Sequence, residues 1–338
     1  MSQKRLLYVI CAIAVVAYDS SIRLDPTHTH MNRRDTLKLG TFSLLQTALP
    51  SVALAQAGRG LEYKVFTATR QGLNRDVPPG KEDLMWVANS ATLIYGKQDA
   101  VLVDTFLTIE QATTLADDIK GTGKRLTAIY ITHAHGDHFL GLRVLLDKFP
   151  QAKALATSEV AAGMRQAATP EKLNARWRKL FPGQIPDGVA FADPLDGDTI
   201  ELEGNRLVAI KVGHTDTDDS TCLHVPAIDL IVAGDAVYNG IHPFLIESNR
   251  RTRLEWIAAL DKLEALKPKS VVAGHKIPTN DDNPRCIAET RQYIKDFIRM
   301  NDQTGTPREL YDQMLALYPN LVNPGSLWSS AQSAKKES

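Results

Sequence analysis

Cysteine is scarce in this chain, neither charge is in surplus, and no apolar run reaches membrane-spanning length. Each shortage removes a class of protein. Three cysteines in 338 residues are too few for a disulfide-stapled scaffold. Lys+Arg 39 against Asp+Glu 39 leaves no net charge, so there is no general electrostatic pull toward nucleic acid or an anionic membrane. Any partner, expected to be a small-molecule substrate, is recognised by a local site. The apolar run from Leu6 to Tyr18 is 13 residues long, too short to span a bilayer comfortably, so stable membrane insertion is not expected. With 43% hydrophobic and 23% charged residues, 21 Gly and 17 Pro, the composition is that of an ordinary globular protein, which excludes disordered, collagen-like and coiled-coil readings.

The N-terminus reads as targeting sequence. Arg33-Arg34 precede a weakly apolar stretch from Leu37 to Leu49, then Pro50 and Ala53-Leu54-Ala55-Gln56-Ala57. This order resembles a twin-arginine export signal with an A-x-A cleavage site. Residues 1–57 are therefore expected to be a cleaved export region and the protein to be periplasmic. Lys4-Arg5 ahead of Leu6 form a second signal-like segment in tandem, and the start at Met1 or Met31 stays open. Six basic and three acidic residues lie in this region, which leaves 33 basic against 36 acidic, a net charge of −3, in the remainder. Cys11 would leave with the signal; Cys222 and Cys286 read as buried thiols, with a single bridge as the alternative.

Residues 58–338 are expected to form one domain. Strand patterns occupy Leu61 to Thr69, Leu84 to Tyr95 and Ala100 to Asp104. Thr108 and Gln111 have capping-box spacing ahead of a helix to about Lys120. A strand from Leu126 to Thr132 then delivers its end into His133-Ala134-His135-Gly136-Asp137-His138. Residues 158–183 read as a helical insertion near the site. The second half repeats strands and then helix, with strands at Thr199 to Leu202, Leu207 to Val212, Thr221 to Val225, Asp229 to Ala233 and Ser270 to Ala273. Two mixed halves of this kind suggest two sheets face to face with helices outside, an α/β sandwich.

His133, His135, Asp137 and His138 fall within six residues at a strand end. Three imidazoles and a carboxylate so crowded repel on protonation and desolvate badly, so a buried cluster of this kind usually holds a cation. His133 and His135 can face one metal, while the turn at Gly136 aims Asp137 and His138 at a second. Gly213-His214, Gly234-Asp235 and Gly274-His275 each follow a predicted strand, so their side chains can converge on the same rim. The ordered set resembles the metallo-β-lactamase superfamily, whose H-x-H-x-D-H motif stands at residues 133–138. The resemblance extends from about residue 61 to 290 and implies a four-layer αβ/βα sandwich. It also implies two zinc ions per chain: His133, His135 and His214 on the first, Asp137, His138 and His275 on the second, and Asp235 bridging. Iron or manganese fits the same ligand types. Asp104 matches the family's strand-end carboxylate, which orients a ligating imidazole.

Two metals flanking a water can supply hydroxide at neutral pH while polarising a carbonyl. Asp137 and Tyr238 are the expected catalytic residues. Asp235 and Tyr238 have the Asp-x-x-Tyr spacing of N-acyl-homoserine lactonases in this superfamily, where the Tyr hydrogen-bonds the substrate. His242 is a weaker pocket-wall residue. The Gly72 to Asp83 segment and Trp86 are expected to line the mouth, and Phe139-Leu140 to put bulky apolar groups beside the metals. A carboxylate at 235, where true metallo-β-lactamases carry Cys or Ser, favours esters, thioesters and lactones; no concentrated basic site for glutathione follows His275. The expectation is an exported dinuclear zinc hydrolase acting on a lactone or related ester. The alternatives are a thioesterase or β-lactamase-like hydrolase, a non-catalytic metal-binding protein, and an iron dioxygenase.

Overall fold

In the computed structural model, the described residues run from 60 to 336. The expected export region at 1–57 lies outside them. Among these residues, eleven strands alternate with ten helices. The first half contains β1 (Glu62–Gln71), β2 (Trp86–Tyr95), β3 (Asp99–Val103), α1 (Ile109–Gly121), β4 (Arg125–Tyr130), α2 (Gly136–Phe139), α3 (Leu142–Lys148), β5 (Lys153–Ala156), α4 (Ser158–Ala167), α5 (Pro170–Ala175), α6 (Trp177–Leu180) and β6 (Asp193–Pro194). The second contains β7 (Thr199–Leu202), β8 (Asn205–Gly213), β9 (Ser220–Val225), β10 (Leu230–Asn239), α7 (Arg250–Ala265), β11 (Ser270–Lys276), α8 (Arg285–Gln303), α9 (Pro307–Leu317) and α10 (Pro324–Ala334).

The strands alternate their apolar faces with period two, and that alternation builds the layers. Val101 and Val103 of β3, Ala128 and Tyr130 of β4, Leu230 and Val232 of β10, and Val272 of β11 share a central core between the two halves of the sheet. Ala100 and Leu102 turn the other way, onto Leu115 and Ile119 of α1 and Leu142 of α3. Ile231, Ala233, Val271 and Ala273 turn outward onto Trp256 and Leu260 of α7 and Ile294 and Phe297 of α8. The result is the αβ/βα sandwich, with each fully buried Leu, Ile, Val or Phe contributing roughly 1.5–3 kcal/mol.

The two sheets are not separate. Strand pairing runs continuously in the order β6-β5-β4-β3-β2-β11-β10-β9-β8-β7, with β1 paired to β2. The halves meet where β2 lies antiparallel to β11 through one residue pair, His275 with Asn89. The strand β2 is long enough to serve β1, β3 and β11 at once, which the periodicity of an isolated strand does not reveal.

The capping box of α1 forms as expected: Thr108 Oγ1 accepts from the Gln111 amide at 3.2 Å, and the Gln111 side chain accepts from the Thr108 amide at 3.3 Å. The stretch expected as one helical insertion is three short helices, α4 to α6, with Thr169-Pro170 starting a new one after Ala167. The strands β10 and β11 run past their expected ends, so Asp235, Tyr238 and His275 lie inside strands. Cys222 and Cys286 are both free and buried. Among the described residues no helix is long and apolar enough to cross a membrane.

Candidate metal centre

The motif 133–138 turns sharply off the end of β4 into the one-turn helix α2, whose His138 carbonyl accepts from the Thr105 amide at 2.7 Å and the Thr105 hydroxyl at 2.9 Å. Gly136 is needed at this turn for room: a Cβ there would collide with the indole nitrogen of Trp177. From the other half of the sheet, β10 and β11 deliver Asp235 and His275, and the loop after β8 delivers His214 and Asp216.

Three sets of side chains have ligand atoms within 4.8 Å of one another: His133, His135, Asp216 and Asp235; Asp137, His138 and His275; and Asp104, His133 and His138. Asp235 stands between the first two. Its Oδ1 lies 3.3 Å from His138 Nε2, and its Oδ2 lies 3.1 Å from His275 Nε2 and 3.9 Å from His133 Nε2. Six of the seven expected ligand residues therefore come together. His214 lies outside these sets: its Nδ1 is 2.6 Å from the Asp218 carboxylate, and its Nε2 is buried without a partner.

The imidazoles share one arrangement: in each, one ring nitrogen is occupied by an oxygen. Thr132 donates its only hydroxyl proton to Asp104 Oδ2 at 2.7 Å, so at 3.0 Å it accepts from His133 Nδ1. The Nδ1 of His138 donates to Asp104 Oδ2 at 3.1 Å, and that of His275 to the Ala88 carbonyl at 3.0 Å. His135 reverses the pattern, with Nε2 on Glu247 Oε1 at 3.3 Å. These tautomers follow from the partners present, and they turn His133 Nε2, His135 Nδ1, His138 Nε2 and His275 Nε2 toward the buried carboxylates of Asp216 and Asp235. Metal-ligating histidines are held in this way. Asp104, expected as an orienting carboxylate, holds two of these rings at once, His138 directly and His133 through Thr132; it does so from a left-handed backbone with φ 59°, a conformation Asp tolerates better than most residues.

Four unsatisfied buried atoms fall in the same place. His133 Nε2, His214 Nε2, Asp216 Oδ2 and Asp235 Oδ1 have no hydrogen-bond partner, and stranded polar groups of this kind are expensive unless a cation serves them. Burial lowers the pKa of His133, keeping it neutral and able to ligate. Burial also opposes the charged form of His138, but the carboxylates of Asp235 and Asp104 outweigh it and raise its pKa to about 10. A proton there occupies a place that a metal would take. Asp137 is buried too, yet the Arg70 guanidinium and the neighbouring imidazoles hold its carboxyl well below the usual range. Arg70 Nη2 and Asn89 Nδ2 donate to Asp137 Oδ2 at 2.8 and 3.1 Å.

A cavity of about 130 Å³ opens beside the cluster, walled by Arg70, Leu73, Asn74, Trp177, Tyr238, His242, Phe244 and Ser329 among others. Tyr238 donates its hydroxyl to Asp235 Oδ2 at 3.0 Å, and its ring stacks on His275 at 5.6 Å. The mouth differs from expectation in two respects. Phe139 and Leu140 are buried in the core beneath α1 instead of lining the cavity, because α2 turns its apolar side inward. Trp86 flanks a separate groove with Thr69, Arg70 and Gln71. Arg70, Asn89, Asp216, Asp218 and Glu247 were not anticipated. Asp216 and Asp218 follow His214 so closely that the acidic run 216–219 was the available signal; the other three meet the site only through the fold.

The family model of the metallo-β-lactamase superfamily matches residues 84–275, more than half of the chain, and the chain belongs to that superfamily. Among solved structures, a metallo-β-lactamase family protein of Thermus thermophilus is similar with a TM-score of 0.55 at 21% identity, over 80% of this chain and 91% of that one. A metallo-β-lactamase from Pontibacter korlensis gives a TM-score of 0.52 at 17% identity, over 70% and 99%. At these identities the likeness is one of fold. Curated relatives include a metal-dependent hydrolase of Rhizobium etli, 37% identical over 79 residues, 23% of this chain and 33% of that protein. A hydroxyacylglutathione hydrolase of Francisella tularensis subsp. novicida is 37% identical over 71 residues, 21% and 27%. The chain thus spans a third or less of the length of these two relatives.

Proposed function

We propose that the protein is a dinuclear zinc hydrolase that acts on a lactone or related carboxylic ester after export to the periplasm. The observation that carries the reading is the set of four imidazoles, those of His133, His135, His138 and His275, each with one nitrogen tied to an oxygen and the other facing the buried carboxylates of Asp216 and Asp235. In this reading His133, His135 and His214 hold one ion, Asp137, His138 and His275 the other, and Asp235 is shared. Bound there, two dications supply an activated water at neutral pH and polarise the carbonyl under attack.

The chain's own residues do the rest. Asp104 and Thr132 fix two ligand tautomers, and Arg70 with Asn89 keeps Asp137 ionised and oriented. Trp177 and Phe244 narrow the access of bulk water. Tyr238 presents a neutral phenol, because burial and then the Asp235 charge raise its pKa well above 10, and it can pass its hydrogen bond from Asp235 to a developing oxyanion. A cavity of about 130 Å³ favours a compact acyl group over a long chain. A thioester is the second reading, favoured by the relatives named hydroxyacylglutathione hydrolase.

A panel of lactones, carboxylic esters, thioesters and β-lactams tests the proposal on zinc-loaded and chelated protein with metal quantification. Zinc-dependent turnover of small lactones or esters above the other classes is the expected result. Preference for thioesters transfers the assignment to the second reading, and a single bound iron with oxygen consumption ends the hydrolase proposal. Export is tested by the N-terminus of the periplasmic protein, expected near Gly58.

A further inference from the structure

We propose that Asp216 is itself a ligand of the first metal position, adding a second carboxylate there beside the imidazoles and the shared Asp235. The inference rests on the dinuclear reading above. Asp216 sits in the loop between β8 and β9 and is fully buried, at 0% exposure. Its Oδ2 lies 2.7 Å from His135 Nδ1 and 3.6 Å from His133 Nε2.

Glu247 occupies the far nitrogen of His135, so the near one faces Asp216 as a lone pair. Two lone-pair atoms 2.7 Å apart repel unless a cation lies between them. Without metal a proton shared by the pair fills that place, as at His138, and an ion would take it over. Nor is the carboxylate idle at its other end. Asp216 Oδ1 accepts from the Thr215 hydroxyl at 2.9 Å, and the loop closes on itself through the Thr215 amide and the Thr217 carbonyl at 3.0 Å. The free oxygen is thereby held toward the two histidines. Glu247 also accepts from the Thr217 hydroxyl at 2.8 Å, tying the same loop to the back of His135.

A carboxylate at this position has two consequences. It adds a negative charge to the first site, which strengthens binding of any dication. It also shifts the donor set further toward oxygen, which raises tolerance for manganese and iron(II) relative to a site with Asp235 as its one carboxylate.

The test uses full-length protein stripped of metal and titrated with Co²⁺ against a competing chelator, read by the visible absorption of the bound cobalt and by metal content. Wild type is expected to take two ions. Asp216→Asn is expected to keep one tightly and to bind the other at least roughly 10- to 100-fold more weakly, with a changed cobalt spectrum. Asp216→His, which replaces one ligand with another, is expected to recover two-ion binding, a rescue that a purely structural role would not produce. Near-ultraviolet circular dichroism of the metal-free variants monitors the fold. Two-ion affinity and a cobalt spectrum unchanged in folded Asp216→Asn would overturn the assignment. Fewer than two ions in wild type would instead remove the dinuclear reading, and this inference with it.

Discussion

Removing metal should destabilise the protein by the free energy with which the folded site holds it, and the charges buried at the site are the reason it binds. Asp104, Asp137, Asp216 and Asp235 are 2%, 7%, 0% and 3% exposed, and among the described residues Arg70 is the one guanidinium bonded into this cluster. In the metal-free protein the neighbouring carboxylates hold protons on His135 and His138, so four carboxylates against Arg70 and these two imidazoles leave one net negative charge in a dry interior, and two dications taking the place of those protons more than offset it. Free metal at a thousand times its Kd stabilises the folded state by about 4 kcal/mol per site. Unfolding entropy scales with length, and for about 280 ordered residues it is roughly 0.6 kcal/mol/K. Each site should therefore raise Tm by about 7 °C, and the pair by about 14 °C. Calorimetry with zinc in excess, after chelation, and after zinc is restored measures this directly. Protein whose chelated and loaded forms melt within about 2 °C of each other would refute the reasoning, since the buried carboxylates would then be compensated by something other than metal.

Three further outcomes are expected. Tyr238→Phe removes the donor 3.0 Å from Asp235 Oδ2 and should retain metal while kcat/KM on the best ester falls roughly 30- to 1000-fold, about 2–4 kcal/mol; an unchanged kcat/KM with a lowered Tm would take Tyr238 out of the mechanism. His242 is fully buried, which pushes its pKa down to about 3 from about 6.5 in the unfolded chain. The unfolded state alone takes the proton between these values, so stability should fall by about 1.4 kcal/mol per pH unit as pH drops below about 6.5; denaturant melts across pH should show that slope flattened in His242→Gln. Gly274→Ala should lose metal while the outer layers still fold, because a Cβ there overlaps Asp235 Oδ1 and comes within 2.7 Å of the Gly234 carbonyl carbon; metal analysis showing two ions in this variant would contradict the crowding argument.

Much of the molecule was legible along the chain because its signals are local. Alternation in Val101-Leu102-Val103 and Ile231-Val232-Ala233 marks strands with two apolar faces, and Thr108 with Gln111 marks a helix start. The motif at 133–138 advertised a metal cluster because it packs three imidazoles and a carboxylate into six residues. What escaped is set by long-range register. Arg70 reaches Asp137 across 67 residues, and Glu247 reaches His135 across 112; nothing near either in sequence announces the contact. The strand β10 extends to Asn239 because it continues to pair with β11 beyond a bulge at Gly234, a pairing no propensity encodes. His214 and Asp216 are two residues apart in one acidic loop, and only the backbone course determines which side chain meets His133 and His135.

The single pairing of Asn89 with His275 is the narrowest point of the sheet, and it lies at the metal cluster. Every expected ligand from the H-x-H-x-D-H motif belongs to one side of that seam; Asp216, Asp235 and His275 belong to the other. An ion held between them acts as a rivet across two layers that are otherwise tied at this level by little backbone hydrogen bonding. Sliding one half-sandwich against the other would alter the spacing between the two ligand groups before it disturbed either core. The catalytic geometry of such a centre is therefore a mechanical readout of how the layers are aligned. Substitutions in the packed interior between them, at Tyr130 or Val232 for instance, would tune the centre without touching a ligand.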